Sequence, residues 1–514
     1  MTAADNVMLS ALPDKEEVFE TVKEANHKAA PGTDGITSLV YKLCWSSMGD
    51  ALTAVAQAKL EGEELPSSMR TALMVFGTKP KKANSLKPGD KRRISLLNSD
   101  FKILEGLDAR RFRKISNHCL SSVQYVGGKD RRIHHGISRA RDAIYSAGQS
   151  KVGCGIADMD FIAAFDWLVL SWVWQVLEKL GVSGSVINRV KSLYKDSITI
   201  TVVNNQLGRV FQDRRGSLRQ GGCASMEWFS FGIDPLLRYL DRRLQGILIS
   251  SLLVLGPASK DDRYPLPPLE ERFKLMAYCD DVKPGISTMA EFTTVDQACS
   301  LFEQSSGCQL HRDPALGKCK FLKLGRWRGT LSQEDIPLRY LVLSDSLQMV
   351  GVELKATWQQ TRKANGDIVQ SRVTNNINAW RSGKFMELTA RPWSLNSYAL
   401  TKVWYRCHTV DLRVTDITSI TSKVKSWLYQ DQLEKPEEMI LYRPIMMGGL
   451  GLHHVKIKAL SSELSWRQQS TPASSTAYTT PSYSRLMFCL MNPSPPHPLC
   501  HPSTMSHSST VSDG

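Results

Sequence analysis

The segment that most constrains the fold of this chain is Met276–Val282, an apolar run that ends in an aromatic residue, a small residue and two adjacent carboxylates. The Lys283-Pro284-Gly285 sequence that follows predicts a break in regular structure. We therefore expect a strand, a tight hairpin and a return strand, with Asp280 and Asp281 at the tip. Neighbouring strand residues point to opposite faces, so both carboxylates reach one site only through a turn. Like charges held that close repel each other strongly and usually require divalent cations between them.

A second acidic segment, Ile156–Asp166, lies far upstream, and without it the Asp pair would be explained as a solvated turn. The segment begins as a short apolar strand, and apolar residues over 168–180 then keep helical spacing. Asp160 thus stands where a strand gives way to a helix, a common position for site residues. One carboxylate from this strand end and two from the hairpin could hold two Mg²⁺ ions for in-line phosphoryl transfer. Spacing alone does not choose among Asp158, Asp160 and Asp166.

Three motifs resemble the catalytic core of reverse transcriptases, and in particular of those from non-LTR retrotransposons, the long interspersed element type. They are Asp160-x-x-x-Ala164-Phe165-Asp166, Gln220-Gly221 and Tyr278-Cys279-Asp280-Asp281, in that order. The resemblance covers roughly residues 28–455. It implies an α+β fold arranged as a right hand, with fingers, an antiparallel-sheet palm flanked by helices, and a helical thumb.

The resemblance implies roles for the residues around the acidic motifs. Asp160, Asp280 and Asp281 would form the metal-binding triad, and Phe161 would lend a backbone carbonyl to a metal. Phe165 would lie at the steric gate that excludes a ribose 2′-OH and so favours deoxynucleotides.

Two motifs of the family match this sequence on either side of the catalytic hairpin. The Gln-Gly pair, here Gln220 and Gly221, would lie against the incoming nucleotide and the template base. After the hairpin, Gly317-Lys318-Cys319-Lys320 resembles the segment whose lysine protonates the pyrophosphate leaving group. Lys318 is the candidate for that role, and Lys320 competes for it.

A strongly basic stretch runs from Thr78 to Arg93, between two apolar segments typical of strands. A basic loop joining two strands is well placed to grip phosphates, although a nuclear localisation signal or a solvated charge run would have the same composition. Arg92-Arg93-Ile94-Ser95-Leu96 resembles the Arg-Pro-Ile-Ser-Leu fingers motif, with Arg93 in place of proline. By this match Arg92 would contact the incoming triphosphate, and Lys79 is a second candidate.

Composition narrows the class of protein and its partners. A length of 514 residues exceeds what one core supports, so we expect two or three domains. The net charge of +15 indicates polyanionic partners. The 11 cysteines form no Cys-x-x-Cys pair and no secretory signal is evident, which favours reduced thiols in the cytoplasm or nucleus. No apolar run approaches the ~20 residues that a membrane span needs.

Composition and the family resemblance together suggest domain boundaries. From about residue 375 to 460 the pattern is mainly helical, which suits a thumb, and beyond residue 466 Ser, Pro, Thr and His dominate, which predicts disorder. We expect an N-terminal extension at 1–27, fingers at 28–150, a palm at 151–355, a thumb at 356–465 and a disordered tail at 466–514.

The sequence therefore predicts an RNA-directed DNA polymerase that transfers nucleotides to a primer 3′-OH with two Mg²⁺ ions, Mn²⁺ being an alternative. Its partners would be an RNA template, a DNA primer or target DNA, and deoxynucleoside triphosphates. One alternative is a catalytically silent, nucleic-acid-binding remnant of a retroelement. An intron-encoded or telomerase-like enzyme is another, for which the sequence offers no accessory domain. Neither an endonuclease nor a ribonuclease H pattern is seen, so a fragment or relic of an element is expected.

Overall fold

The computed structural model describes residues 1–78, 85, 87, 90–127, 131–212, 216–249, 271–380, 386–387, 389–429 and 437–461. The chain divides into two units, Met1–Asn365 and Gly366–Gly514. Lys79 and the predicted tail at 466–514 lie outside the described residues. None of the described helices is both long and apolar enough to cross a membrane.

Several helices begin and end at capping residues that the sequence supplies. Thr2 and Thr288 each begin a helix with a capping box, in which the third helical residue bonds back to the cap. Gly62 and Gly307 end helices with positive φ of 101° and 77°. The helices are α1 Ala3–Ser10, α2 Lys15–Glu24, α3 Ser38–Leu43, α4 Trp45–Glu61, α5 Ser67–Arg70, α6 Ser99–Cys119, α7 Ile133–Gln149, α8 Ala164–Trp167, α9 Leu170–Lys179, α10 Gly184–Tyr194, α11 Ser225–Arg243, α12 Met289–Ser306, α13 Trp327–Thr330, α14 Trp358–Trp380, α15 Ala390–Ser394, α16 Thr401–Cys407, α17 Val414–Leu428 and α18 Glu438–Tyr442.

The strands all lie in the first unit among the described residues. They are β1 Thr71–Thr78, β2 Lys91–Leu97, β3 Gly153–Asp158, β4 Ile198–Val203, β5 Gln206–Gln212, β6 Ile247–Ile249, β7 Glu271–Phe273, β8 Leu275–Tyr278, β9 Asp281–Ile286, β10 Lys320–Gly325, β11 Val342–Leu343, β12 Ser346–Met349 and β13 Val352–Lys355. Helices and largely antiparallel strands are mixed along the chain, which confirms the predicted α+β class.

Two larger sheets organise the first unit. One has the strand order β11-β10-β3-β9-β8 and the other β2-β1-β4-β5. The segment Cys154–Ala157 of β3 is buried at every residue, because β3 is the central strand of its sheet. The predicted hairpin of two strands around the basic loop is confirmed as the antiparallel pair β1 and β2, and most of that loop lies outside the described residues.

The prediction that Lys283-Pro284-Gly285 breaks regular structure is wrong. All three residues lie inside β9, where Pro284 is paired with Leu275 of β8 and Gly285 with Ile156 of β3. Glycine is required there by crowding, because a Cβ at Gly285 would lie 2.5 Å from the carbonyl oxygen of Phe273. Pairing on both sides of the strand thus overrides the local turn preference of the Pro-Gly pair.

Separate apolar cores support the two units. In the first unit, helices α9, α11 and α12 pack with the five-stranded sheet, and Trp228, Phe229 and Phe231 of α11 are fully buried. In the second unit, Val369, Val403 and Ile420 belong to a buried helical cluster. The mainly helical pattern predicted from about residue 375 is confirmed in the described part of that unit.

Candidate active site

Strand register brings the acidic motifs together. In the antiparallel pair of β3 and β9, Ile156 lies opposite Gly285, and Met159 lies opposite Val282 just beyond the end of β3. One residue further, the same register sets Asp160 opposite Asp281, the first residue of β9. Asp280 occupies the turn before it. The predicted hairpin is therefore present, with Asp280 in its turn and Asp281 at the start of the return strand.

The turn that carries Asp280 is held by hydrogen bonds between the hairpin backbone and residues outside the hairpin. Cys279 adopts a left-handed conformation with φ of 53°, and its N–H donates to Oε1 of Gln124 at 3.3 Å. The N–H of Tyr125 donates to the carbonyl of Ala277 at 2.9 Å. A left-handed non-glycine residue carries strain, which these contacts help to hold in place.

The carboxylates form an oxygen-rich site whose charge is poorly compensated. Burial, together with the charges of Asp281 and Asp160, raises the pKa of Asp280 to about 6. Asp160 is more exposed to solvent than Asp281, with 38% of its side chain exposed. An all-oxygen donor set of this kind fits Mg²⁺ or Mn²⁺ better than the thiophilic metals. Asp160, Asp280 and Asp281 are therefore chemically suited to hold divalent ions.

Lys318 is brought to the triad by β10, the second strand paired with β3. Lys320 of β10 is paired with Asp158, so Lys318, two residues earlier, falls opposite Asp160. Its Nζ lies 3.3 Å from Oδ2 of Asp160, and about half of the side chain is exposed. Of the two lysines that competed for this role in the sequence, Lys318 is the one paired with a residue of the triad.

A buried lysine that the sequence reasoning missed lies beside the triad. Lys283 of β9 forms ion pairs with Asp158, at 2.6 Å, and with Asp281. Burial pulls its pKa down, but the two carboxylates more than offset this and hold the pKa above its usual value. The burial and the ion pairs of Lys283 were not predicted, because a lysine in the turn predicted at 283–285 would be solvated.

The remaining acidic candidate is engaged elsewhere. Oδ2 of Asp166 lies 2.9 Å from a guanidinium nitrogen of Arg93, the residue that replaces the proline of the fingers motif. This ion pair connects β2 with α8, and both of its side chains are partly exposed. Asp158, the other competitor, is bound to Lys283 as described.

The two phenylalanines of the first acidic motif have different surroundings. Phe161 is buried, bridges to Leu310 through the backbone and packs edge-on against Phe302. Phe165 is half-buried and stacks on Phe229 of α11, with ring centroids 4.7 Å apart. The stacking on Phe229 thus supports the Phe165 ring at the start of α8.

The Gln220-Gly221 motif lies directly against β2. The N–H of Ser95 donates to the carbonyl of Gln220 at 2.7 Å. A Cβ at Gly221 would lie 2.4 Å from the carbonyl oxygen of Ser95, and φ of Gly221 is 128°. The strand that carries the exposed Arg92 therefore contacts this motif, while Lys79 lies outside the described residues.

A buried carboxylate supports the loop that follows Gln220-Gly221. Glu105 of α6 is fully buried, accepts the N–H of Cys223 and accepts the hydroxyl of Tyr194 at 2.6 Å. Nε1 of Trp228 donates in turn to that hydroxyl at 2.7 Å. Nothing in the helical spacing of α6 distinguished Glu105 from a surface glutamate, so this support was not predicted.

Among the described residues, the group whose ligand atoms all lie within 4.8 Å of one another is Asp5, His118 and Cys119. The Asp5 carboxylate already accepts the N–H of Thr2 at 2.7 Å and contacts Nε2 of His118 at 3.0 Å. The ligand atoms of Asp160, Asp280 and Asp281, which are all described residues, do not all lie within that distance of one another. The Asp5 carboxylate of this group is thus already engaged in helix capping and with His118.

Comparison with known proteins identifies the family. Residues 79–354, more than half of the chain, match the family described as reverse transcriptase (RNA-dependent DNA polymerase). The transposon TX1 uncharacterized 149 kDa protein of Xenopus laevis is 21% identical over 395 residues, which are 76% of this chain. The chain spans 28% of the length of that relative. The matched segment includes all the motif residues described above, and the chain belongs to the reverse transcriptase family of RNA-directed DNA polymerases.

Proposed function

We propose that this chain is the polymerase part of a non-LTR retroelement and copies RNA into DNA. The observation that carries the proposal is the meeting of Asp160 and Asp281 across β3 and β9, with Lys318 paired to Asp160, within a segment that matches the reverse transcriptase family. The similarity to a transposon protein supports the retroelement origin. Residues 28–150, 151–355 and 356–465 would serve as fingers, palm and thumb.

The reaction would join the primer 3′-oxygen to the α-phosphorus of a deoxynucleoside triphosphate and break the bond to the β-phosphate oxygen. Asp160, Asp280, Asp281 and the carbonyl of Phe161 would hold two divalent ions. These ions, when bound, would activate the hydroxyl and neutralise charge on the pyrophosphate. Lys318 would give a proton to the departing pyrophosphate once phosphate oxygens compete with Asp160 for its ammonium group.

Other residues of the site would orient the nucleotide. The guanidinium of Arg92 would bind the triphosphate, with Lys79 as a second cation. Gln220 and Gly221 would line the position of the nucleotide and the template base. Phe165, supported by its stacking on Phe229, would exclude a ribose 2′-OH and so favour deoxynucleotides.

The proposal is tested by primer extension on a poly-rA template, with Mg²⁺ or Mn²⁺ and either dTTP or UTP. We expect extension with dTTP and not with UTP. Asp160→Asn should lower the rate by at least about 100-fold, the upper end of what changes outside the ligand set produce, while template binding stays near that of the wild type. Unchanged synthesis by Asp160→Asn would refute the assignment of the triad.

The second candidate function is a catalytically silent protein that binds nucleic acid. It is favoured by the net charge of +15, because a positively charged protein would bind RNA even if its site had no catalytic activity. Salt-sensitive template binding with no extension under either metal would support this candidate over the polymerase.

A further inference from the structure

Lys283 is a buried cation at the acidic end of the five-stranded sheet. Its side chain is 1% exposed, lies 2.6 Å from Oδ1 of Asp158 and is also paired with Oδ1 of Asp281. Lysine is almost never buried to this extent unless it is paired. Lys283 thus connects a proposed metal ligand, Asp281, with a carboxylate to which the reaction assigns no role, Asp158.

The backbone fixes this bridge. The register that pairs Ile156 with Gly285 and Met159 with Val282 sets Asp158 opposite Lys283 across β3 and β9. Asp281 and Lys283 are two residues apart on β9, so their side chains leave the same face of the sheet. The bridge therefore follows from strand pairing and does not depend on a chance meeting of flexible side chains.

The charges around the bridge do not balance. Two ammonium groups, of Lys283 and Lys318, contact a site that contains four carboxylates, Asp158, Asp160, Asp280 and Asp281. Lys318 is 49% exposed and can turn into solvent when an ion arrives, whereas Lys283 is enclosed. Lys283 thus remains a fixed positive charge beside the proposed ligands.

A fixed charge has two opposing effects on metal binding. The ammonium group orients Asp281, which favours binding, and it repels a divalent ion, which opposes binding. An ion held by Asp281 would lie close to the paired ammonium group of Lys283, where repulsion in a poorly solvated site is strong. Orienting a ligand through one contact of this kind is worth at most about 100-fold in affinity. The net effect of Lys283 on a bare divalent ion is therefore unfavourable.

We propose that Lys283 is a resident counter-ion of the metal site. It holds Asp158 and Asp281 together while metal is absent, and it lowers the affinity of the site for a divalent ion that arrives without a nucleotide. Tight metal binding then depends on the triphosphate, whose oxygens add negative charge and ligands. This inference rests on the proposed function, since it takes Asp281 as a metal ligand.

The test is Mn²⁺ binding to the full chain without nucleotide, measured from the electron paramagnetic resonance signal of the free ion. Lys283→Gln retains a hydrogen-bond donor and removes the charge, and it should tighten Mn²⁺ binding roughly tenfold or more. Asp158→Asn leaves Lys283 to act on Asp281 alone and should weaken binding by a similar factor, roughly tenfold. Unchanged or weaker binding by Lys283→Gln would overturn the inference.

Either of the two substitutions can test the inference if the other variant does not fold. Asp158→Asn is nearly isosteric, so it carries the test if Lys283→Gln does not fold, and unchanged Mn²⁺ affinity in Asp158→Asn would then overturn the inference. Lys323→Gln is the matched control, because Lys323 lies on β10 of the same sheet and donates to the carbonyl of Leu331 at 2.8 Å. If Lys323→Gln tightens binding as much as Lys283→Gln, the effect is one of net charge and the inference fails.

Asp280→Asn tests whether the measured Mn²⁺ is bound at the proposed site. It removes one proposed ligand, so it should weaken Mn²⁺ binding in the wild-type and Lys283→Gln backgrounds alike. Failure of this inference differs from failure of the proposed function. A wild-type protein that extends primers while Lys283→Gln leaves Mn²⁺ affinity unchanged refutes only the counter-ion role. A wild-type protein that neither binds Mn²⁺ at this site nor extends primers refutes both.

Discussion

Asp280 is placed where the fold disfavours its charge. It is partly buried in the hairpin turn, between Asp281 and the approaching Asp160, and its pKa is raised to about 6. The folded protein without metal therefore holds a proton on this carboxylate more tightly than the unfolded chain does. Ionised Asp280 destabilises the fold, and this effect grows as the pH rises from about 4 to about 6 and is complete above that range.

Asp280→Asn should therefore stabilise the metal-free protein, by up to about 3 kcal/mol at pH 8 and only about 1 kcal/mol at pH 4.5, from linkage between the two pKa values. Urea unfolding in the presence of EDTA at both pH values measures this difference. Saturating Mg²⁺ should reverse it at pH 8, since the wild type alone keeps the full ligand set. Equal stabilisation at both pH values would contradict the cause given for the raised pKa.

At the scale of elements, β2 and the Gln220-Gly221 loop approach each other closely, with the N–H of Ser95 2.7 Å from the carbonyl oxygen of Gln220. This approach requires a residue without a Cβ at position 221, because of both the crowding by Ser95 and the φ of 128°. Glu105 of α6 holds the same loop from its other end by accepting the N–H of Cys223. Two separate elements thus fix the surface that would face the nucleotide.

Gly221→Ala should destabilise the protein by about 2 kcal/mol or more, from the strained φ and the clash with a backbone oxygen. It should also raise the KM for dTTP in primer extension, because β2 must move away from the loop. Gly148→Ala is the control, since this position in α7 has open space around it, and it should be neutral or stabilising by up to about 1 kcal/mol. Wild-type stability of Gly221→Ala would show that the loop and β2 separate readily.

Elements also show where local sequence signals suffice and where they fail. Helical spacing predicted α9, the apolar segments beside the basic stretch predicted β1 and β2, and the acidic motif predicted a hairpin that carries the Asp pair. The same reasoning placed a turn at Lys283-Pro284-Gly285, because Pro-Gly preference is local whereas pairing with β3 and β8 is tertiary. The roles of Lys283 and Glu105 were missed for that reason, since each is bonded to one partner more than 80 residues away in sequence, Asp158 and Tyr194 respectively.

At the scale of the whole molecule, the two units have independent apolar cores. The segment that matches the reverse transcriptase family, residues 79–354, falls entirely within the first unit. The second unit is built on its own buried helical cluster, which includes Ile420 of α17. Stability and metal binding should therefore respond separately to changes in the two cores.

Ile420→Ala should cost about 2–5 kcal/mol of local stability by leaving a cavity. Hydrogen exchange followed by mass spectrometry should show lost protection in peptides after residue 366 and an unchanged Mn²⁺ affinity. Ile156→Ala, at a fully buried site in β3, should have the reverse pattern and weaken Mn²⁺ binding. Protection lost across both units in Ile420→Ala would mean that the chain unfolds as one cooperative body.

The central position of β3 has a consequence for how this chain tolerates insertions and deletions. β3 is paired with β9 on one side and with β10 on the other. The pairing with β9 sets Asp281 opposite Asp160, and the pairing with β10 sets Lys318 opposite Asp160. Losing or gaining a single residue within β3 would turn every following side chain to the opposite face. A frame-preserving indel there would thus remove Asp160 from Asp281 and Lys318 at once, and it would also turn the buried side chains of the strand out of the core, so a single event should end both the chemistry of the site and the stability of the first unit.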